Sequence, residues 1–325
     1  MRLFITGATG FIGRHLCREA IARGHTVTAL LRTPSKASVL APGVDVVQGD
    51  LSSFANPDFA LPECDVVVHL AGVVTAADPA DYARINLHAV EDLVACLTRQ
   101  TTPPRRLLFA SSLAAAGPSP ADRPWTEADA PAPIDPYGDA KARAESVVRA
   151  TPFPTTIFRP PMVFGPEDEA TLTLFQAARA GVGMRAAGAP QRLSWVDVRD
   201  LVDALLRMAD DTRPGSQTYF TSHPDDTDIH ALWGAIGHAV GRRVWVVPVP
   251  KWVLRAASGV ATAAASVVPF HNQLDDKQVR QITAPAFVCS SARLRAELGW
   301  APQHAIDKAM VHAVQGYRAA GMLPA

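Results

Sequence analysis

Through the first 165 residues, short unbroken apolar runs alternate with amphipathic ones. The apolar runs are "RLFIT", "TVTALL", "DVVQG", "DVVVHLA", "RRLLFAS" and "TTIFRP". Helical patterns such as "GRHLCREAIARG" and "YARINLHAVEDLVACLTRQ" lie between several of them. Brief strands of continuous apolar character predict a sheet buried on both faces, and strand–helix alternation predicts that its strands are parallel. The proline-rich stretch 117–136 predicts a loop. After residue 165 the alternation weakens. "LSWVDVRDLVDALLRMAD" and "QTYFTS" predict one more helix and strand, and the remainder reads as mostly helical with proline breaks. The expected organisation is an α/β chain with a doubly wound parallel sheet over 1–165, to which 193–222 returns. A smaller, mostly helical lobe then takes 166–192 and 223–325.

Composition narrows the class. The chain has 325 residues and 48% hydrophobic residues, enough for a sizeable core. Its 31 basic side chains balance 31 acidic ones, which favours neither nucleic acid nor an anionic membrane as partner. Cys17, Cys64, Cys96 and Cys289 form no CxxC pair, and no histidines have metal-ligand spacing. Neither a zinc site nor a structural disulfide is expected, and a reducing cytoplasm fits. The chain start, "MRLFIT", reads as a strand and not as a signal peptide. The apolar stretch 252–268 is rich in alanine and interrupted by Arg255. It falls short of the roughly 20 apolar residues of a membrane span, so a packed helix is expected there.

The chemistry begins at "TGATGFIG", where Gly7, Gly10 and Gly13 sit between the first strand and the first helix. Glycines in that position allow a tight turn and close approach of a pyrophosphate to the helix N-terminus. Such a loop binds dinucleotides, although the same glycines also serve a tight strand-to-helix turn. An acid at the end of the second strand would take the ribose 2′-hydroxyl of NAD. Arg32 stands there instead, and no acid lies between Gly24 and Pro42. Arginine suits a 2′-phosphate, so NADP is the expected cofactor with NAD as the alternative, against a plain solvated arginine. Asp50, after the third strand, could contact adenine or cap a turn.

"TGATGFIG", "GDL", "HLAG", "SS" at 111–112, "YGDAK" and "RPPMVFGP" occur in that order. With them the chain resembles the extended short-chain dehydrogenase/reductase family, also called the NAD-dependent epimerase/dehydratase family. The branch nearest in character is the 3β-hydroxysteroid dehydrogenase and dihydroflavonol reductase-like one. The resemblance covers most of the chain and implies a Rossmann-type fold. It implies cofactor contacts at Phe11, Ile12, Leu51, Leu70, Ala71, Gly72 and Asn86, and a nicotinamide wall at Pro161. Relatives often pair as dimers, and the oligomeric state stays open.

Tyr137 and Lys141 stand four apart, on one face of a predicted helix. A free phenol titrates near 10 and is a poor acid–base at neutral pH. A lysine cation and an oxidised nicotinamide would both favour the phenolate and lower that value. The resemblance makes Tyr137 the proton donor and acceptor and has Lys141 hold the nicotinamide ribose. It makes Ser112 the group that holds the substrate oxygen, because the family's hydroxyl usually lies five residues before a glycine, here Gly117. Without the motif set these residues would read as strand-end caps and a helix-start aromatic.

Three functions follow from this. One is an NADP-dependent reductase or dehydrogenase of an apolar ketone or secondary alcohol. Another is a nucleotide-sugar epimerase or dehydratase with tightly bound NAD. The last is a non-catalytic nucleotide-binding subunit, which would have no use for the Ser–Tyr–Lys set. Met162 stands where sugar-modifying relatives often carry an asparagine, and with Val73 and Val74 it offers an apolar substrate wall. Arg192 could serve a diphosphate.

Overall fold

The computed structural model describes residues 1–76, 78–188, 191–267 and 276–324, with the side chains of 260–267 and 276–278 left aside. Strands β1 (Arg2–Thr6), β2 (Thr26–Leu31), β3 (Val44–Gln48), β4 (Val66–His69), β5 (Arg106–Ala110) and β6 (Thr155–Arg159) join Ser216–Phe220 in one seven-stranded sheet. Every pairing in it is parallel, in the order β3-β2-β1-β4-β5-β6 and then 216–220. This is a Rossmann-type α/β fold.

Alternation within the strands divides the core into two layers. In β1, Leu3 and Ile5 pack with Leu16, Cys17 and Ala20 of the first helix (Phe11–Ala22) and with Leu201 and Leu205 of the helix Val198–Asp210. Phe4 points the other way, into a layer with Leu93, Leu97, Ala144 and Val148. Apolar side chains on both faces are what a sheet covered by helices on both sides requires.

The strand order reverses between β1 and β4, and the loops after these strands flank a crevice at their carboxyl ends, the usual binding place in such sheets. Gly7 makes the crevice possible. Its φ of 72° is left-handed, and a Cβ there would lie 2.6 Å from the Ala71 nitrogen.

The predicted helix over 82–100 is a composite. It runs as Pro79–Ala83, a π-helical turn over Arg84–His88, and Ala89–Arg99. The stretch 117–136 is a loop, as its prolines predict, and it is tied down: the Trp125 amide donates to Val288, and the Ser290 amide donates to Trp125. Beyond residue 165 the reading of a mostly helical segment misses short strands: Trp195–Asp197, read as helix, pairs with Met162–Phe164, and two more small sheets follow. One joins Thr227–Asp228, Arg192–Leu193 and Ala286–Phe287, and the other pairs Val182–Ala186 with Trp245–Val249. Their strands of two to five residues are too short for a periodicity to register. A separate core holds this region together, with Phe164, Phe175, Trp195, Trp233 and Tyr317 among its members.

The stretch 252–268 lies almost wholly in the helix Lys251–Val267, with Val268 outside the described residues. Among the described residues no helix is long and apolar enough to cross a membrane. The four cysteines are free thiols, and no group of metal-ligating side chains occurs among the described residues.

Candidate active site

The helix Pro136–Arg149 begins where Asp135 accepts a hydrogen bond from the Gly138 amide at 2.8 Å, with proline in its first turn. That start sets Tyr137 and Lys141 on one buried face. Gly138 lets the helix press on the chain after β5: a Cβ there would lie 2.3 Å from the Ala114 carbonyl oxygen. In this way Ser112, at the end of β5, comes within hydrogen-bonding reach of the Tyr137 phenol. Ser112 Oγ also caps its own short helix, accepting from the Ala114 amide at 3.1 Å.

The structure separates the two adjacent serines. Ser111 Oγ donates to Glu145 Oε1 at 2.6 Å and is consumed there. Glu145, fully buried, also accepts from Arg159 through Nε at 2.7 Å and Nη2 at 2.6 Å, and from Arg149 at 2.7 Å. Burial pushes the Glu145 carboxyl up, but the bonds from Arg159 and Ser111 outweigh it and hold the group below its ordinary range. The sequence reading missed this ion-paired cluster. Its signal was present: an acid at 145 inside an alanine-rich helix, and an arginine ending an otherwise apolar strand.

Lys141 lies on the same buried helix face as Tyr137. Its Nζ donates to the Ala110 carbonyl at 2.8 Å and lies 5.1 Å from the centre of the Phe109 ring. Burial pushes it down to about 8. Burial likewise pushes the Tyr137 phenol up to about 12, against the pull of its bond with Ser112. Desolvation therefore outweighs any effect of the lysine, and the phenol of the protein alone is a proton donor at neutral pH.

Asn86 lies in the π-helical turn, with both ends of its amide engaged: Oδ1 accepts from the Val73 amide at 3.0 Å, and Nδ2 donates to the Val73 carbonyl at 2.9 Å. It holds the loop after β4 against the lysine. A Cβ on Gly72 would lie 2.6 Å from Asn86 Oδ1 and 3.3 Å from Lys141 Nζ.

These groups border a cavity of about 560 Å³. Phe11, Ile12, Leu70 and Gly72 line it from the nucleotide side, with Asn86 and Pro161. Ser112, Tyr137 and Lys141 line it together. Val73, Val74 and Met162 line it as well, and most of the remaining wall is apolar, including Leu174, Leu193, Leu232, Trp233, Ile236 and Phe287. Arg185 is a cation in this wall that sequence reasoning did not single out. Its guanidinium bonds only the Ala186 carbonyl, and its buried Nε has no partner among the described residues. Arg192 lies outside the wall and is ion-paired with Asp226 at 2.7 Å.

The glycine loop fits a dinucleotide. It follows β1, it opens the first helix, and its next residues, Phe11 and Ile12, face the cavity. Added Cβ atoms on Gly10 and Gly13 would crowd the Gly7 carbonyl oxygen, at 3.2 and 2.2 Å. Arg32 and Asp50 are outside the cavity. Arg32 is exposed at the end of β2, and the Asp50 carboxyl is held low first by the Ser52 hydroxyl and backbone amides and least by Arg32. Asp50 takes the capping role: its carboxylate accepts from the Ser52 amide at 2.9 Å, while the Ser53 hydroxyl accepts from the Asp50 amide at 3.0 Å. Leu51 packs into the core layer beneath.

Residues 3–219 match the family described as NAD dependent epimerase/dehydratase. The chain belongs to that family. Its cofactor is accordingly a nicotinamide nucleotide, and the chain is an oxidoreductase-type enzyme. Among curated proteins it is similar to a ceramide reductase of Caulobacter vibrioides, 27% identical over 98% of this chain and 95% of the relative. It is also similar to the 4-hydroxy-2-methyl-3-oxo-4-farnesyl-3,4-dihydroquinoline-1-oxide ketoreductase of Stigmatella aurantiaca, 28% identical over 79% of each chain. Among solved structures, a UDP-glucose 4-epimerase of Thermus thermophilus with NAD superposes with a TM-score of 0.77, covering 98% of this chain and 100% of that one, at 20% identity. At that identity the likeness is one of fold.

Proposed function

We propose that this family member is an NADP-dependent reductase that interconverts an apolar ketone and its secondary alcohol. The observation that carries the reading is the cavity: a Ser112–Tyr137 hydroxyl pair faces a chamber walled mostly by aliphatic and aromatic side chains. The nicotinamide supplies or accepts a hydride when bound. In the reducing direction the neutral Tyr137 phenol gives its proton to the carbonyl oxygen, and the Ser112 hydroxyl donates to that oxygen as charge gathers on it. Lys141, fixed by the Ala110 carbonyl, would hold the nucleotide ribose and supply positive charge to the proton relay. Glu145 engages the Ser111 hydroxyl, which leaves the neighbouring Ser112 hydroxyl for the substrate oxygen. The two curated relatives support the reading, since both are named as reductases and their names specify a ceramide and a farnesylated ketone. NADP rests on exposed Arg32 at the end of β2.

A nucleotide-sugar enzyme has one observation in its favour, Arg185 in the cavity wall, whose buried Nε has no partner among the described residues and which suits a phosphate. Against it, Arg192 is committed to Asp226, and Met162 presents a thioether where a hydrogen-bonding amide would be useful. The test is NADPH consumption with a panel of long-chain and polycyclic ketones, beside binding titrations with UDP, dTDP and GDP sugars. Turnover of an apolar ketone is expected. Micromolar binding of a nucleotide sugar with no ketone reduced would replace this reading with the epimerase one.

A further inference from the structure

We propose that the chain docks on the surface of an anionic phospholipid bilayer through the ribbon Val182–Ala186/Trp245–Val249 and the start of the helix Lys251–Val267, with the mouth of the cavity held against the lipid. The zero net charge gives no hint of this at the level of sequence, and the apolar stretch 252–268 is read there as a packed helix.

The first observation is where exposed apolar area sits. Of nine large hydrophobic side chains exposed among the described residues, six are Val182, Met184, Trp245, Val247, Trp252 and Ile282. Pairing explains why four of them share a face. Trp245 lies opposite Val182 and Val247 opposite Met184 in the parallel ribbon. Alternate residues of a strand share one side, so these four project together. The other side is turned inward, with Gly183 against the Trp233 indole. Trp252 follows in the first turn of the helix, and Ile282 is adjacent, since Lys251 Nζ donates to the Thr283 carbonyl at 3.1 Å. Trp245 is 69% exposed and Trp252 72%, while the other four tryptophans are buried. Two exposed indoles this near in the chain are unusual for a surface that meets only water. Tryptophan is enriched where a protein meets the headgroup region.

The second observation is charge. Between Asp228 and Asp275 the sequence has no acidic residue but carries Arg242, Arg243, Lys251 and Arg255. All four are exposed, and Arg243 lies over the Trp245 ring at 5.3 Å. In a chain with equal numbers of acids and bases, this excess of cations beside the apolar face matches an anionic headgroup layer. A second copy would bring the same cations against themselves.

The third observation is position. Met184 and Ile282 belong both to the exposed face and to the cavity wall, and Leu254, two residues from Trp252, lines the cavity from inside. A molecule dissolved in the outer layer of a bilayer would reach the Ser112–Tyr137 wall without crossing water. Docking itself depends on the surface alone and not on which ketone, if any, is reduced.

The experiment is flotation of the full chain with vesicles of zwitterionic phosphatidylcholine, with and without roughly 30 mol% phosphatidylglycerol, and with brominated lipid as a tryptophan quencher. Binding to the anionic vesicles is expected, weakened by salt, with quenching of indole emission. The double variant Trp245→Ser/Trp252→Ser should lose roughly tenfold or more in partitioning and lose the quenching, at unchanged melting temperature. Arg242→Glu and Arg255→Glu should each cost about fivefold on anionic vesicles. Failure of the wild type to float with anionic vesicles would overturn the proposal. So would equilibrium sedimentation showing a dimer that the double variant abolishes, since the face would then be covered by a second copy. None of these readouts uses activity, so the reductase reading stands or falls separately.

Discussion

The wall that holds Tyr137 and the wall that faces it are built on opposite principles. Around Tyr137, Lys141 and Ser111, buried polar groups have partners within the sheet ends and one helix, and the ion-paired Glu145 lies beneath them. Across the cavity the wall comes from short strands and from helices joined by prolines, most of its side chains are apolar, and its outer surface exposes two indoles. Polar chemistry needs fixed directions, because a misaligned donor in a dry site is worth little. Apolar recognition needs area and volume, which a loosely specified surface supplies as well. The rigid wall can therefore carry a reaction common to a family, and the other can vary with the substrate.

The contrast is broken most severely at Glu145. Glu145→Ala leaves Arg159 buried without its carboxylate, and the expected loss is about 3–5 kcal/mol of stability, read by urea denaturation. The acid has a pH signature as well. Its folded-state value is held below its unfolded one, so its contribution is present at neutral pH and is lost as pH falls through the folded value. A substitution on the apolar wall, such as Leu232→Met, should cost less than about 1.5 kcal/mol. Next in size, Tyr137→Phe should keep the melting temperature and cofactor affinity and lower turnover roughly 10²-fold or more. Near-wild-type turnover would remove the phenol from the mechanism.

How much of this the sequence discloses differs between the two walls for a physical reason. Six strands, the glycine loop and the Tyr137–Lys141 face follow from local rules of period, turn and spacing, which are written in consecutive residues. The choice of Ser112 over Ser111 comes from resemblance, and the tertiary geometry adds a reason for it: Ser111 is taken by Glu145, 34 positions away in sequence. The burial that raises the Tyr137 phenol in the protein alone is not written in the local sequence, because burial is a property of the folded whole. Arg185 and the ribbon are not legible at all. Their strands are short and partner distant segments, so no local pattern announces them.

Smaller effects sharpen the comparison. Arg32→Asp should move cofactor preference from NADPH toward NADH by about tenfold, read as the ratio of kcat/KM values. Equal binding of NADH and NADPH by the wild type would show that the end of β2 does not select. Lys141 gives a pH test of burial. Its folded value, about 8, is below the ordinary lysine value of 10.5, so the cost of its buried charge is full below pH 8 and relieved as pH rises toward 10.5. The wild type should therefore gain stability relative to Lys141→Met across that interval, and a constant difference would mean that the ammonium is not desolvated.

The central claim is that the protein transfers a hydride to an apolar ketone while Tyr137 supplies the proton. Its most direct test follows the reacting hydrogen: wild-type protein and Tyr137→Phe are each given NADPH deuterated at the transferred position with the best ketone of the panel, in one turnover. The account predicts one deuterium on the carbinol carbon of the wild-type product, formed at a rate roughly 10²-fold above that of the variant. It would be contradicted by a product without deuterium, or by a nucleotide sugar converted with no net change in the nicotinamide.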